Sequence, residues 1–360
     1  MRVSSFEINH FRNISSLKLD FEAAGAVIFG KNGTGKTNLL EAIAYGAFGK
    51  SIRSASDSDL VGFSKAFFRL VGEYILHEQK VEISAAFDKK QKIIKLDENR
   101  LSKISELFQY VKVVYFSPED IELISGAPAQ RRRFMNQAIA QTSYQYLEDY
   151  RHYYRILKQR NALLKSKFSF QEKRVWDQRL VKTGAAIIEQ RLRFLDDFIP
   201  NLCEKYLFVS GEREQLSVAY KFSFPVDINS SLAEQYAEHL ERIENEEIRL
   251  QRTLAGPHLD DLNFLIEERS ARDFGSQGQK RSLAITSRLV QADLIKKNDQ
   301  ETPILMFDDV LADLDPIRAH KIMQLLGAEH QIFIATPNRE LYRDFALPTI
   351  DLEKCLDEKQ

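Results

Sequence analysis

Apolar and polar positions alternate through the first hundred residues in the manner of strands. Leu17, Leu19 and Phe21 alternate with polar neighbours, and residues 26–29 form a short continuous apolar run that stops at Gly30. A run of that kind predicts a buried strand. The spacing then turns helical, with Leu39, Leu40, Ile43 and Ala47 on one side of a helix predicted over 37–45. Strands predicted over 68–75, 80–87 and 92–96 follow too closely for helices to intervene, which predicts an antiparallel meander.

From residue 118 the pattern becomes helical. Apolar residues recur at three- and four-residue spacing over 134–161, 171–198 and 232–254, with Gly and Pro rare inside them. Beyond Gly256-Pro257 the chain alternates a helix (279–296), a strand (303–307), a helix (316–326) and a strand (331–335), the order that builds a parallel sheet. The expected organisation is a discontinuous α/β head, 1–117 and 257–360, carrying an inserted helical domain, 118–256.

Composition narrows the classes. With 360 residues, 44% hydrophobic and 29% charged, the chain can bury two or three cores, which excludes a disordered protein. Its longest apolar runs, 26–29 and 304–307, are far short of the roughly 20 residues of a membrane span, so no membrane partner is expected. Two cysteines, Cys203 and Cys355, with no CxxC, argue against a disulfide or zinc scaffold and for a reducing cytoplasm. The net charge of −1 conceals segregation: residues 131–193 hold 15 Lys/Arg against 5 Asp/Glu, and residues 230–270 hold 4 against 10.

Three motifs carry chemistry. Gly30-Lys31-Asn32-Gly33-Thr34-Gly35-Lys36-Thr37 matches GxxxxGK[ST] between a predicted strand and helix. Gly33 and Gly35 let backbone N–H groups close around a phosphate, Lys36 supplies charge to the β- and γ-phosphates of ATP, and Thr37 offers a hydroxyl to Mg2+. The apolar strand before Asp308-Asp309 supplies the second half. Asp308 is the metal-side carboxylate, and Asp309 is placed to orient or deprotonate the attacking water. About 270 residues separate Lys36 from Asp308, which requires a domain inserted between the halves. The third motif, Ser276-Gln277-Gly278-Gln279, opens a helix and reads alone as an N-cap turn. Read with the other two it resembles the signature loop of ABC and SMC-like ATPases, which completes the site of the opposite subunit. Residues 311–315, Leu-Ala-Asp-Leu-Asp, resemble the D-loop of that superfamily.

Within the superfamily the chain resembles the RecF family of bacterial recombinational repair ATPases along essentially its whole length. The resemblance rests on His10-Phe11-Arg12-Asn13, the phosphate loop, Phe116-Ser117-Pro118-Glu119-Asp120, Gly126-Ala127-Pro128 with Arg131-Arg132-Arg133, Gly256-Pro257-His258 with Asp260-Asp261, the Ser276 loop and Asp308-Asp309. It implies an α/β, ABC-type P-loop ATPase head, a mixed sheet with an antiparallel β lobe, and an inserted helical arm. It also implies Arg12 and Asn13 at the nucleotide, weak DNA-dependent ATP hydrolysis, a homodimer when ATP is bound, and a cytoplasmic, nucleoid-associated protein. Its partners would be double-stranded and gapped DNA and RecR with RecO, leading to RecA loading. Two positions depart from the family: Leu259 replaces an arginine, and Lys280 a glutamine.

The residues point to DNA as well. Arg131, Arg132 and Arg133 and the basic helices after them are interleaved with Tyr144, Tyr146, Tyr150, Tyr153, Tyr154 and Trp176. The helical spacing of these aromatics favours a helix–helix core, whereas the charges favour DNA contact. His258-Leu259-Asp260-Asp261 reads as a hydrogen-bonded turn rather than a metal site. Two other functions compete, a transporter ATP-binding subunit and a short SMC-like structural clamp. Against the transporter stand the large helical insertion, Ser-Gln-Gly-Gln in place of Leu-Ser-Gly-Gly-Gln, and Thr336 where such subunits carry a histidine.

Overall fold

A computed structural model describes residues 1–53, 56–299, 301–311, 314–337 and 347–357, so Ala312 and Asp313 of the D-loop-like segment lie outside the described residues. The chain divides into two compact units, Met1–Asp120 with Ile285–Gln360, and Ile121–Ala284. In chain order, unit one begins with β1 (Arg2–Phe11), β2 (Ile14–Asp20), β3 (Gly25–Phe29), α1 (Lys36–Phe48), β4 (Phe68–Leu76), β5 (Gln79–Phe87), β6 (Lys92–Leu96), β7 (Asn99–Arg100) and β8 (Val113–Phe116). Unit two holds α2 (Glu122–Ser125), α3 (Pro128–Thr142), α4 (Tyr144–Leu164), α5 (Phe170–Ser210), β9 (Leu216–Lys221), α6 (Leu232–Arg242), α7 (Glu244–Leu250), β10 (Asp261–Ile266), β11 (Arg269–Ser270) and α8 (Ala271–Phe274). After α9 (Gln277–Asp299), within which the division falls, come β12 (Ile304–Asp308), α10 (Pro316–Gln324), β13 (Ile332–Thr336), β14 (Thr349–Asp351) and α11 (Leu352–Asp357).

Among the described residues unit one has two sheets. The expected meander joins the N-terminal hairpin in an antiparallel sheet, ordered β2-β1-β4-β5-β6-β7, and the other sheet, β14-β3-β13-β12-β8, is parallel. Every residue of β12 and β13 is buried, as expected of parallel strands covered on both faces. Helix α1 shares one core with residues of both sheets and is buried nearly all round, so its apolar periodicity is weak. At Gly46 a Cβ would lie 2.3 Å from the Tyr74 hydroxyl, so only glycine fits that contact.

Unit two is more segmented than its periodicity predicts. The helix expected over 134–161 is two helices, broken at Ser143 (φ −143°, ψ 106°), whose hydroxyl accepts the Tyr146 N–H at 3.1 Å and caps α4. The helix expected over 232–254 divides at Ile243, and α7 ends at Gln251 in the left-handed region. In contrast, α5 runs past its expected end and through Pro200. Residues 257–284, placed with the head on sequence, group with this unit, because β10 pairs antiparallel with β9 across the Gly256-Pro257 junction.

The unit is held by a buried polar core. Arg191, 1% exposed, donates to the Pro257 carbonyl at 2.6 Å, Asn136 Oδ1 at 2.9 Å and the hydroxyls of Tyr220 and Tyr146 at 3.1 and 3.2 Å. Arg160, fully buried, donates to Glu247 at 2.5 Å, Asp177 at 2.7 Å and Thr253 at 2.8 Å. Gly256 adopts φ 126°, and a Cβ there would lie 2.2 Å from the Tyr236 hydroxyl. Residues 256–259 form a hydrogen-bonded turn, with Leu259 N donating to the Gly256 carbonyl at 2.9 Å and the Tyr153 hydroxyl 2.7 Å from His258 Nδ1.

Burial, reinforced by Arg132, Arg191 and Arg160, holds the His258 imidazole down to about 4, against a hydrogen bond to the Thr253 backbone. An unfolded histidine titrates near 6.5, so between those values the unfolded chain binds a proton that the folded chain does not, and stability falls as pH falls. Unfolding in urea, followed by the single Trp176 of unit two, should show the wild type losing about 2 kcal/mol more than His258→Asn between about pH 7 and pH 4.5. Equal acid losses in the two proteins would show that His258 is not buried neutral.

Candidate functional site

The phosphate loop connects β3 to α1 at the carboxyl edge of the parallel sheet, where open α/β sheets bind ligands. Gly33 (φ 85°) and Gly35 (φ 110°) occupy left-handed conformations that turn the backbone inward, and a Cβ on Gly35 would meet the Asn13 carboxamide at 2.8 Å. No side-chain oxygen caps α1, and its first turn holds no acid. Its N-terminal N–H groups therefore keep their capacity for an anion. Lys36 Nζ folds back onto the carbonyls of Gly30 and Lys31, 2.8 Å from each, and burial lowers its pKa while the charges of Asp309, Asp308 and Glu353 act in the opposite sense. The Thr34 hydroxyl bonds the Lys31 carbonyl, and Lys31 N donates to Glu353 of α11 at 2.8 Å; Asn32 stands exposed at the loop's tip.

The acidic strand meets this loop. Thr37 Oγ1 donates to Asp308 Oδ1 at 2.7 Å, and the Tyr115 hydroxyl of β8 donates to Asp308 Oδ2 at 2.8 Å. Burial raises the Asp308 pKa against these two donors, and burial likewise raises that of Tyr115, well beyond its ordinary value. Asp309 follows at φ 55°, a left-handed conformation that Asp tolerates better than most residues, with its N–H bonded to the Ala335 carbonyl at 3.0 Å. Tyr115 is the residue that the sequence reading missed. Its signal is only that it stands beside Met306 in the register of β8 and β12, two residues before the carboxylate.

Thr37 and Asp308 fit a hard cation, since both present oxygen. Among the described residues no group of three His, Cys, Asp or Glu could hold a metal alone. A divalent ion here would therefore take further ligands from phosphate and water, the habit of Mg2+ in nucleotide sites. Arg12 and Asn13 bind protein partners in this structure. Arg12 grips the buried Glu41 of α1 through Nε at 2.5 Å and Nη2 at 3.1 Å, and Asn13 donates to the Gly33 carbonyl at 3.2 Å while accepting from Asn38 at 2.7 Å. Both brace the loop and its helix.

In unit two, Ser276 and Gln279 form a reciprocal capping box at the start of α9: Gln279 N donates to Ser276 Oγ at 3.2 Å, and Ser276 N to Gln279 Oε1 at 2.7 Å. Ser276 and Gln277 are exposed, and a Cβ on Gly278 would meet nothing within 4 Å. The first turn of α9 holds no acid. Leu259, where the family carries arginine, is 44% exposed.

Phosphate loop, acidic strand and interrupted head define a P-loop protein of the RecF/RecN/SMC class, and residues 2–349 match the family described as RecF/RecN/SMC N terminal domain. The chain belongs to the RecF family. It is 37% identical over 343 residues to the DNA replication and repair protein RecF of Heliobacterium modesticaldum, covering 93% of this chain and 92% of that protein. The RecF of Streptococcus agalactiae serotype Ia is 34% identical over 342 residues, 94% and 92% of the two chains. Among solved structures, one described as the recombination mediator protein RecF-ATP in the RecFOR pathway superposes with a TM-score of 0.87 at 29% identity, covering 94% of this chain and 92% of that one. An SMC head bound to the C-winged helix domain of ScpA shares the fold, with a TM-score of 0.55 at 15% identity and 95% and 91% coverage. Among the described residues no helix is long and apolar enough to cross a membrane.

The arginine run does not present the surface expected of it. Arg131 is 4% exposed, and its Nε and Nη2 engage Asp261 at 2.7 and 2.9 Å while Nη1 bonds the Gly126 carbonyl at 2.9 Å. Arg132, half-buried, donates to the Asp260 carbonyl at 2.9 Å, and Arg133 alone of the three is exposed. With three of its five N–H donors engaged and its side chain buried, Arg131 turns inward and braces the fold. Arg131→Ala should cost about 1–3 kcal/mol in urea unfolding, by leaving the partly buried Asp261 without its cation, without changing the salt dependence of DNA binding. A flattened salt slope with stability unchanged would return Arg131 to the DNA surface.

Proposed function

We propose that the chain binds ATP with Mg2+ in the loop 30–37, hydrolyses it slowly in a DNA-dependent manner, and closes as a homodimer on double-stranded or gapped DNA during recombinational repair. The observation that carries this reading is the Thr37–Asp308 hydrogen bond of 2.7 Å, which sets the hydroxyl and carboxylate of a phosphate–metal site side by side. The helix N-terminus and the loop glycines hold the phosphates, and Lys36 exchanges two loop carbonyls for β- and γ-phosphate oxygens. Thr37 and Asp308 hold Mg2+, which when bound draws charge from the phosphate oxygens. Asp309 orients the water whose oxygen bonds the γ-phosphorus as the bridging P–O bond breaks, leaving ADP and phosphate.

Ser276 to Gln279 of one copy would complete the site of the other, with the capping box holding the loop in shape until the γ-phosphate arrives. Work alongside RecO and RecR is supported by the RecFOR pathway in which the solved RecF-ATP structure is described, and RecA loading is what the family resemblance implies. A nucleoid-associated place in the cytoplasm follows from the same reading.

Sedimentation with ATP tests the shared site. Ser276→Arg should bind ATP normally yet remain monomeric, and Lys36→Met should lose nucleotide binding. Mixing the two variants regenerates one composite site with native residues on both sides, so partial ATP-dependent pairing should appear in the mixture and in neither variant alone. Dimers of Ser276→Arg alone would overturn the trans site and leave Ser276 as a cap, whose loss costs about 0.5–2 kcal/mol of stability.

A further inference from the structure

We infer that duplex DNA lies along the solvent face of α4 and the loop after it, its phosphates met by Arg155, Lys158 and Lys165. This rests on the DNA-binding reading above and names the surface that performs it. No Asp or Glu stands between Asp149 and Glu172, a stretch that holds Arg151, Arg155, Lys158, Arg160, Lys165 and Lys167. Arg160 is consumed in the buried core, and Arg151, half-buried, pairs with Glu148. Arg155, Lys158, Lys165 and Lys167 are exposed and form no ion pair among the described residues.

The helix geometry aligns these cations. At 3.6 residues per turn, Arg155, Lys158, Ala162 and Lys165 fall within about 80° of arc, diametrically opposite the buried side that carries Tyr153, Ile156, Arg160 and Leu164. Ala162 leaves the face low between its cations. From Arg155 to Lys165 the stripe rises about 15 Å, at roughly 1.5 Å per residue. That spans the axial rise of about four steps of one DNA strand at roughly 3.4 Å each.

Two alternatives explain less. An ordinary solvated helix face interleaves both signs and gains from opposite charges four residues apart, whereas from Arg155 to Lys165 this face carries one sign. Attraction to the negative end of the helix reaches only its last turn, which accounts for Lys165 and not for Arg155 or Lys158. The kind of nucleic acid follows from the aromatics. From Arg155 to Lys165 the helix carries no aromatic residue, so this face offers charge with nothing to stack bases upon; Phe170, 63% exposed, lies beyond it at the start of α5. A surface of that composition tracks a paired backbone rather than an unstacked single strand.

The test measures affinity for a fluorescein-labelled duplex against salt concentration, on the full chain with ATP and Mg2+. Arg155→Gln/Lys158→Gln/Lys165→Gln should flatten the slope of log affinity against log salt by about 2.7, three contacts at about 0.9 each. Over the interval from ~0.15 M to ~1 M salt that corresponds to a loss on the order of a hundredfold at the lower concentration. Nucleotide affinity and the unfolding midpoint should be unchanged. Arg155→Lys/Lys158→Arg/Lys165→Arg, which keeps the charges, should keep the slope, and so should Lys89→Gln/Lys90→Gln in the turn between β5 and β6 of unit one. If the Gln variant does not fold, Lys165→Gln alone, at the helix end, should flatten the slope by about 0.9. An unchanged slope, or equal flattening by Lys89→Gln/Lys90→Gln, overturns the α4 surface and leaves DNA binding standing. A wild-type chain that fails to bind duplex overturns both.

Discussion

The Thr37–Asp308 hydrogen bond closes a loop of 271 residues, and the rest of the head is arranged around it. For it to form, β3 and β12 must lie in one parallel sheet with their carboxyl ends on the same edge, and β13 pairs with both to place them so. Helix α1 must start at that edge, which its burial between two sheets enforces, and Glu41 within it is neutralised by Arg12 and bonded by Ser51. Tyr115 then takes the second oxygen of Asp308, leaving the first turned toward Thr37. A carboxylate fixed through both oxygens meets a metal without having to reorganise.

Much of the head was legible because its signals are local. A glycine-terminated apolar run, a phosphate loop and an apolar strand ending in two acids each report their own conformation, so β3, α1, β12 and β13 stand where the pattern predicts them. β8, β9, β10 and β14 escaped, since each is defined by the strand it pairs with. Pro200 reads as a helix terminator, but lies at an exposed position of α5, where packing carries the helix beyond it. The break at Ser143 escaped for the opposite reason: a capping serine interrupts the helix without any Gly or Pro to announce it.

Charge was harder to read than hydrophobicity. Part of the basic segment 131–193 closes onto the acidic segment 230–270, where Arg131 meets Asp261, Arg160 meets Glu247, and Lys173 meets Glu244. Segment totals do not distinguish a cation that faces solvent from one that closes a core. Breaking such a pair strands its partner, which is why residues that look like a binding surface can be indispensable to folding. The tyrosines divide in the same way, with Tyr146 and Tyr153 serving the core through their hydroxyls.

The central claim is that two segments distant in sequence act as one phosphate–metal site through Thr37 and Asp308. A double-mutant cycle on affinity for a fluorescent ATP analogue in Mg2+, using Thr37→Ala, Asp308→Asn and the pair, tests it most directly. The account predicts that the double variant loses less than the sum of the singles by about 1–2 kcal/mol, as residues acting through one contact do. Additivity within about 0.5 kcal/mol would contradict it.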